Sequence, residues 1–554
     1  MRIDPRRWFS RKTLGSDVKA GLVLGVESVP DGLASGLLAG VNPLAGLYAY
    51  LFGMVGAAFF TSSTFMAVQA TGAMALVVAD ADLGARPDPD RALFTLAVLC
   101  GVVMIVAGLL RAGRLVAFVP TAVMTGFITA VGINIVLGQL SNFTGYAAVG
   151  ANRIVKTVDL AFHIAQWSLP AVVVGVITGL VIVVLERTPV GSMGLVIAVF
   201  VGSVCALLLD LWVPDPVVLL RDIVTVPGGL PAPVLPDIGD IAYLIVPAIS
   251  LAFVGLVQGA GVSAGIPTPD GKPADASRDF IGQGAGNVAA GLFQGMPVGG
   301  SMSASALLVT AGAKTRLALF VAGLVMVLVI LLASGLVAYV AMPALAALLI
   351  VVGVATVKPS RVYSVIRSGP LQTAIMTVTF VLTLLIPLQF AVLAGVGLGI
   401  ILFVAQQSNR LRVRRVTLTA DGRMREDDPP PVVGAGEVVI LQPYGSLFFA
   451  SAPTMEKQLP VVSRASTGSI VIIRLRGTDH LGLALIEVLR RYAHALRDAD
   501  GALVLVVSEK QVLRQLEVGG MVAELGEENV YHGSEWVGEA LRRAYADARE
   551  RLGR

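Results

Sequence analysis

The stretch GMPVGGSMSASALLVTAGAKTR, residues 295–316, places glycines at 295, 299 and 300 just ahead of Ser301, Ser303 and Ser305, then runs apolar from Met302 to Ala313. Glycine lets a backbone approach a ligand closely, and serine hydroxyls add donors. The first turn of a helix presents N–H groups without intrahelical partners at the positive end of its dipole. These parts together hold an anion without a full positive charge. A second short piece, TGAMALVVAD at 71–80, matches SASALLVTAG at 303–312 in Leu, Val and Ala, an offset of 232 residues (303 minus 71). The candidate anion-contacting positions are Gln69, Ala70, Thr71 and Gly72 in the first piece, and Gly300, Ser301, Met302, Ser303 and Ala304 in the second. Gln69 has two readings, a hydrogen bond to an oxyanion or satisfaction of nearby backbone.

Glu27 and Asp31 are the other residues able to do chemistry. They stand four apart, on one helical face if Pro30 permits, inside an apolar run. An acid at the centre of a bilayer costs on the order of 3 kcal/mol on insertion scales, so function is the default reading. The functional reading is proton or cation coupling; the alternative is that Asp31 caps a break made by Pro30. Asp80 and Asp82 mark the aqueous end of the third span.

The elements that must position these residues are membrane spans. Of 554 residues 55% are hydrophobic and only 14% charged, which excludes an ordinary soluble domain. Apolar blocks of spanning length fall near 17–40, 43–60, 93–110, 115–140, 168–185, 193–209, 241–264, 279–295, 315–338, 340–357, 371–387 and 389–407. The short pieces at about 66–82 and 298–313 bring the count to fourteen. Arg111, Arg114, Arg187, Lys272, Arg278, Lys314, Arg316, Lys358, Arg361, Arg367 and Arg410 to Arg415 then share one side with Arg2, Arg6, Arg7, Arg11 and Lys12, which puts both termini in the cytoplasm. Arg153 and Lys156 are exceptions. The net charge of +4 follows from this loop bias, so no nucleic-acid partner is implied. Cys100 and Cys205 lie in apolar blocks and point to neither a disulfide nor a metal. The basic start resembles a signal peptide, but Glu27, Pro30 and Asp31 make the first block a retained span. Two short, Gly- or Pro-interrupted segments at matching places in two halves point to a transporter's binding site; the plainer alternative is a pair of re-entrant packing elements.

DFIGQGAGNVAAGLFQGMPVGGSMSASALLVTAGAKTRLA (279–318) resembles the ninth and tenth spans of the SulP anion permeases, which include sulfate permeases, chloride/bicarbonate exchangers and prestin. The matching positions are Gln283, Gly284, Asn287, Gly291, Phe293, Gly295, Pro297, Gly300, Ser301, Ser303 and Ser305. VPDGLASGLLAGVNPLAGLYAYLFG (29–53) and FVPTAVMTGFITAVGINIVLGQL (118–140) resemble the family's first and fifth spans. GSLFFASAPTMEKQL (445–459) and LRGTDHLGLALIEVLRRYA (475–493) resemble a STAS domain. The resemblance implies fourteen spans in two inverted sevens, with half-helices at the third and tenth. It also implies a mobile core (about 17–110 and 241–338) and a gate (about 115–209 and 340–407) that forms a homodimer scaffold. The chain departs from the family at Ala304, where Arg is common, at Gln258, where a Glu is usual, and at Asp31, which replaces a Gln. A positive group and a titratable carboxylate are both missing, which puts coupling at position 258 in doubt and makes Asp31, Glu27 and Gln258 the coupling candidates.

The domain expectations are a cytoplasmic segment 1–16, a transport domain 17–407, a linker 408–436 and a cytoplasmic STAS domain 437–554. In the last, strand-like and helical runs alternate, as in a small α/β domain. His480, His494 and His532 read as surface or structural histidines, and TDHLG (478–482) lacks the serine of a phospho-switch. The expected function is a secondary transporter of small inorganic or organic anions in the cell membrane, of the sulfate, bicarbonate, chloride or dicarboxylate class, with H+ or Na+ as a possible co-substrate. The other readings are an uncoupled exchanger or channel-like member, and a nucleobase permease of the same architecture. No nucleophile–base pair, metal constellation or nucleotide motif points to an enzyme, a metal or a cofactor.

Overall fold

A chain surrounded by hydrocarbon must satisfy its backbone within each segment, and uncharged runs of Leu, Val, Ile and Ala do this as helices. The computed structural model describes residues 12–113, 120–150, 152–188, 193–213, 216–266, 268, 274–408, 411–419, 423–477, 480–533, 536 and 538–553. Arg2, Arg6, Arg7, Arg11, Arg114, Lys272, Arg410, Thr478 and Asp479 lie outside the described residues.

The first half of the membrane unit holds α1 (Leu14–Leu38), α2 (Pro43–Ala58), strand β1 (Ala67–Gln69), the short helix α3 (Gly72–Ala79), α4 (Pro89–Leu109), α5 (Thr121–Thr144), α6 (Arg153–Phe162), α7 (Leu169–Glu186) and α8 (Met193–Leu209). The second holds α9 (Ile241–Gly265), α10 (Ala276–Leu292), β2 (Gly299–Ser301), the short helix α11 (Met302–Thr310), α12 (Leu317–Leu332), α13 (Met342–Thr356), α14 (Pro359–Arg367), α15 (Pro370–Leu385) and α16 (Leu388–Ser408). Among the described residues, six helices are long and apolar enough to cross a bilayer, and four shorter ones are apolar. The molecule is a multi-pass membrane protein. Two helices were not legible as spans: α6 and α14 are amphipathic, each with a single buried residue, Leu160 and Val365.

Sequence-distant helices pack in pairs. α4 lies along α10, α1 along α12, α5 against α13 and α15, and α7 against α8. Small residues set the spacing. A Cβ on Gly284 would stand 2.6 Å from the Gly101 carbonyl oxygen, and one on Gly46 would stand 2.0 Å from that of Gly32, so α4–α10 and α1–α2 touch backbone to backbone. α1 continues through Pro30 without a break, and α2 carries a π-helical turn at Ala49–Gly53.

Several charges serve the fold rather than topology. Arg316 is buried and donates to the carbonyl oxygens of Ala58 (2.9 Å), Thr61 and Ser62 (3.1 Å), closing the chain between α2 and β1. Buried Asp17 accepts from the backbone N–H groups of Lys314 and Thr315 at 2.7 and 2.9 Å. Arg153 pairs with Asp80 at 2.7 Å, which accounts for its exception to the charge bias.

The second unit begins at Ile400, within α16. Its sheet has the order β4-β3-β5-β6-β7-β8, from β3 (Arg412–Leu418), β4 (Met424–Asp427), β5 (Val438–Tyr444), β6 (Ile470–Leu475), β7 (Ala502–Val507) and β8 (Val530–His532). β3 is antiparallel to β4 and β5, whereas β5 to β8 are parallel. Alternation along each strand feeds two cores. Val439, Leu441, Val471 and Ile473 enter one with α17 (Ala452–Gln458), α18 (Leu483–Asp498), α19 (Lys510–Val518) and α20 (Met521–Leu525); Ile440, Ile470 and Ile472 enter the other with α21 (Glu539–Arg551). The segment 408–436, expected to be a linker, supplies β3 and β4. Its charged residues hide the strand pattern because the edge strand β4 is largely exposed.

Candidate functional site

The short helices α3 and α11 begin at a strand pair deep in the membrane unit. β1 and β2 run antiparallel, with Ala67 opposite Ser301, Val68 opposite Gly300 and Gln69 opposite Gly299, all of them buried. Irregular backbone at this depth persists only where protein satisfies it, and here the partners are named side chains. Asn287 of α10 donates to the Val298 carbonyl at 2.7 Å and accepts from the Val298 N–H at 2.9 Å. Gln283 accepts from the Gly300 N–H at 2.8 Å. Ser305 donates to the Ser301 carbonyl and accepts from the Ala67 N–H at 2.9 Å, tying the two halves together.

Each helix then starts with a hydroxyl cap. Thr71 accepts from the Met74 N–H at 3.4 Å and Ser301 from the Ala304 N–H at 3.3 Å. The caps lie 230 residues apart (301 minus 71), two fewer than the sequence alignment implies, because β2 runs straight into its cap whereas Ala70 intervenes after β1. Among the described residues, no backbone or side-chain group accepts from the N–H groups of Gly72, Ala73, Met302 or Ser303. Two helix N-termini with unspent donors therefore share one small framework.

The expected contact residues divide on this geometry. Thr71, Gly72, Ser301, Met302 and Ser303 sit at the two helix starts, with Met302 44% exposed and the Ser303 hydroxyl 3.2 Å from that of Ser301. Gly72 leaves room for Ile135, whose Cδ1 would be 2.5 Å from a Cβ there. Gln69 is buried and donates from its amide nitrogen to the Ser28 hydroxyl of α1 at 2.8 Å. Gly300 spends its N–H on Gln283, and Ala304 is buried in the first turn of α11. Gln258 of α9 accepts from the Thr71 hydroxyl at 2.9 Å, so this neutral amide braces the cap of the opposite half. Asp31 makes no helix cap; it accepts from the Tyr50 hydroxyl at 2.6 Å, and Tyr50 also lies 2.8 Å from the Ala70 carbonyl. One carboxylate oxygen of Glu27, Oε2, is buried without a hydrogen-bond partner. Sequence reasoning missed Tyr50, because a tyrosine amid GLYAYLFG looks like packing.

Residues 14–379 match the Sulfate permease family, and residues 429–535 match the STAS domain. The chain belongs to the sulfate permease family. That family consists of transporters, so this permease is a transporter and not an enzyme. Among its relatives are the putative sulfate transporter YbaR of Bacillus subtilis, 28% identical over 80% of this chain and 84% of that one. The probable sulfate transporter MT1781 of Mycobacterium tuberculosis is 26% identical over 97% of each chain. The bicarbonate transporter BicA of Picosynechococcus is 26% identical over 91% of each. The fold of the permease is that of SLC26A9, with a TM-score of 0.85 over 99% of this chain and 92% of that one at 18% identity. The transmembrane domain of a cyanobacterial BicA aligns with a TM-score of 0.62 at 25% identity, covering 70% of this chain and 98% of that one.

Proposed function

We propose that the permease is a secondary transporter of small anions that works by alternating access. The anion is held between the N-termini of α3 and α11. The observation that carries this reading is the strand pair β1–β2, which sets two capped helix starts with unspent N–H groups on one framework. The N–H groups of Gly72, Ala73, Met302 and Ser303 supply donors, and Thr71, Ser301 and Gln258 hold the caps in place. Two helix ends give about one unit of partial charge together. That suits a monovalent anion, or a divalent one taken up with a cation, and the relatives named for bicarbonate and sulfate support these two classes. Glu27 and Asp31 are the coupling acids in this reading, since position 258 carries no charge.

Leaving out the amphipathic α6 and α14 and the one-turn helices Leu220–Ile223 and Ser334–Val337, the helices of the membrane unit number fourteen among the described residues, and the paired half-helices support an arrangement of two inverted sevens. The packing of α1 and α4 against α12 and α10, and of α5 against α13 and α15, supports a core that rocks against a gate. The proposed setting is a homodimer in the cell membrane with both termini in the cytoplasm. Uptake of radiolabelled sulfate, bicarbonate and chloride into proteoliposomes, with imposed pH and sodium gradients, tests this. Accumulation of one anion is the expected result. Currents without accumulation would instead establish a channel, and silence toward all three would end the reading.

A further inference from the structure

Tyr50 has one hydroxyl proton and two acceptors within reach: Asp31 Oδ2 at 2.6 Å and the Ala70 carbonyl oxygen at 2.8 Å. Ser35 adds a hydroxyl 3.2 Å from Tyr50 and 3.4 Å from the same carbonyl. Tyr50 is 1% exposed, so water does not settle the competition. Its place is fixed by two features of α2: the π-helical turn that contains it, a geometry frequent at functional sites, and the glycine contact at Gly46 that holds α1 and α2 together. Ala70 immediately precedes Thr71, the cap of α3.

We infer that Tyr50 is a positioning residue that transmits the proton state of Asp31 to the mouth of the anion site. The inference rests on the anion-transport reading above and concerns how that site is regulated. With Asp31 charged, the Tyr50 proton is drawn to the carboxylate, and the Ala70 carbonyl keeps only the longer contact from Ser35. With Asp31 protonated, the acid donates to the Tyr50 oxygen, and the Tyr50 proton turns to the Ala70 carbonyl. One proton is added at Asp31, the Asp31–Tyr50 hydrogen bond reverses its direction, and the Tyr50 proton is re-aimed to Ala70; no covalent bond besides the new O–H changes. A carbonyl dipole beside α3 repels an anion less once a donor covers it, so a proton on Asp31 favours anion binding. Linkage then requires that the anion favour the proton equally.

Few other groups compete for the role. α1 itself carries Asp17, Lys19 and Glu27 besides Asp31. Of the elements packed against it, α2 adds Tyr48 and Tyr50 and α8 adds Cys205, while α3, α5, α11, α12 and α13 carry no Asp, Glu, Lys, Arg or His. Glu27 stands one turn before Asp31 on the same helix and carries a buried carboxylate oxygen without a hydrogen-bond partner.

The test is the pH dependence of the KM for radiolabelled sulfate and bicarbonate uptake by proteoliposomes of wild type, Tyr50→Phe and Asp31→Asn. For the wild type, KM falls with falling pH, approaching tenfold per pH unit for a single linked proton. In Tyr50→Phe and Asp31→Asn, KM changes by less than about twofold across the same range while uptake persists, as linkage through one shared proton requires. KM does not depend on how much protein folds, so a poorly folding variant remains readable. A Tyr50→Phe protein with reduced uptake but an intact pH slope would make Tyr50 merely structural and overturn the inference. A wild-type KM indifferent to pH would also overturn it while leaving anion transport standing. Uptake of neither anion at any pH would remove the transport reading together with the inference.

Discussion

Asn287 uses both ends of its amide on Val298, the residue before the β2 glycines. An apolar substitute of similar size leaves that buried N–H and C=O unpaired, at about 1–3 kcal/mol for each. Asn287→Leu is therefore expected to lower stability by at least about 2 kcal/mol, read as a lower melting midpoint in detergent, with uptake lost in proportion to unfolding. Thr71→Val tests the cap instead. It removes the Met74 contact and the donor to Gln258, an effect of about 1 kcal/mol, or roughly fivefold in anion affinity. Thr71→Ser restores both. A Val variant with unchanged KM would show that the Thr71 cap does not set anion affinity.

The glycines that let helices meet are tested at the level of elements. A methyl on Gly284 cannot be absorbed by a flexible side chain, because its nearest neighbour is the backbone oxygen of Gly101. Gly284→Ala should cost about 1–3 kcal/mol through overpacking of α4 against α10, seen as a lower melting midpoint. Gly335→Ala, where a Cβ meets nothing within 4 Å, is the matched control and should leave it unchanged. The spans themselves were legible because an apolar run in lipid has few alternatives to helix. α6 and α14 were not, since a short amphipathic helix has no apolar run and buries a single residue in each case.

The two units of the whole molecule are stabilised by different physics. The membrane unit relies on backbone hydrogen bonds and close helix contacts, whereas the STAS unit buries two faces of a sheet. Its surface adds charge pairs such as Glu524 with Arg490 at 2.9 Å and with His494. Partial burial pushes the Glu524 carboxyl up, but the hydrogen bonds and charges of His494 and Arg490 outweigh this and hold it below the ordinary carboxylate value. A lowered folded value means the contribution is present above the unfolded pKa and is lost as pH falls through the folded one. Glu524→Gln should thus destabilise the STAS unit at pH 7 by less than about 1 kcal/mol. Below the folded value the difference should vanish, as hydrogen exchange of α18 and α20 would report.

The sequence by itself determined the membrane class, the positions of the apolar helices, the two short segments and the family, because these depend on local hydrophobicity and on motifs contiguous in the chain. The tertiary structure alone decided which polar groups are free and which are spent. Gln69 is taken by Ser28, the Gly300 N–H by Gln283, the Thr71 hydroxyl by Gln258, and Arg316 by carbonyls that precede β1. A hydrogen bond forms only between groups that the fold brings within about 3 Å, and the Thr71–Gln258 pair spans 187 residues of chain. No local pattern encodes such a pairing. The same reason hid Tyr50, whose neighbours Asp31 and Ala70 meet it only because two glycine-faced helices and a strand end converge on its hydroxyl.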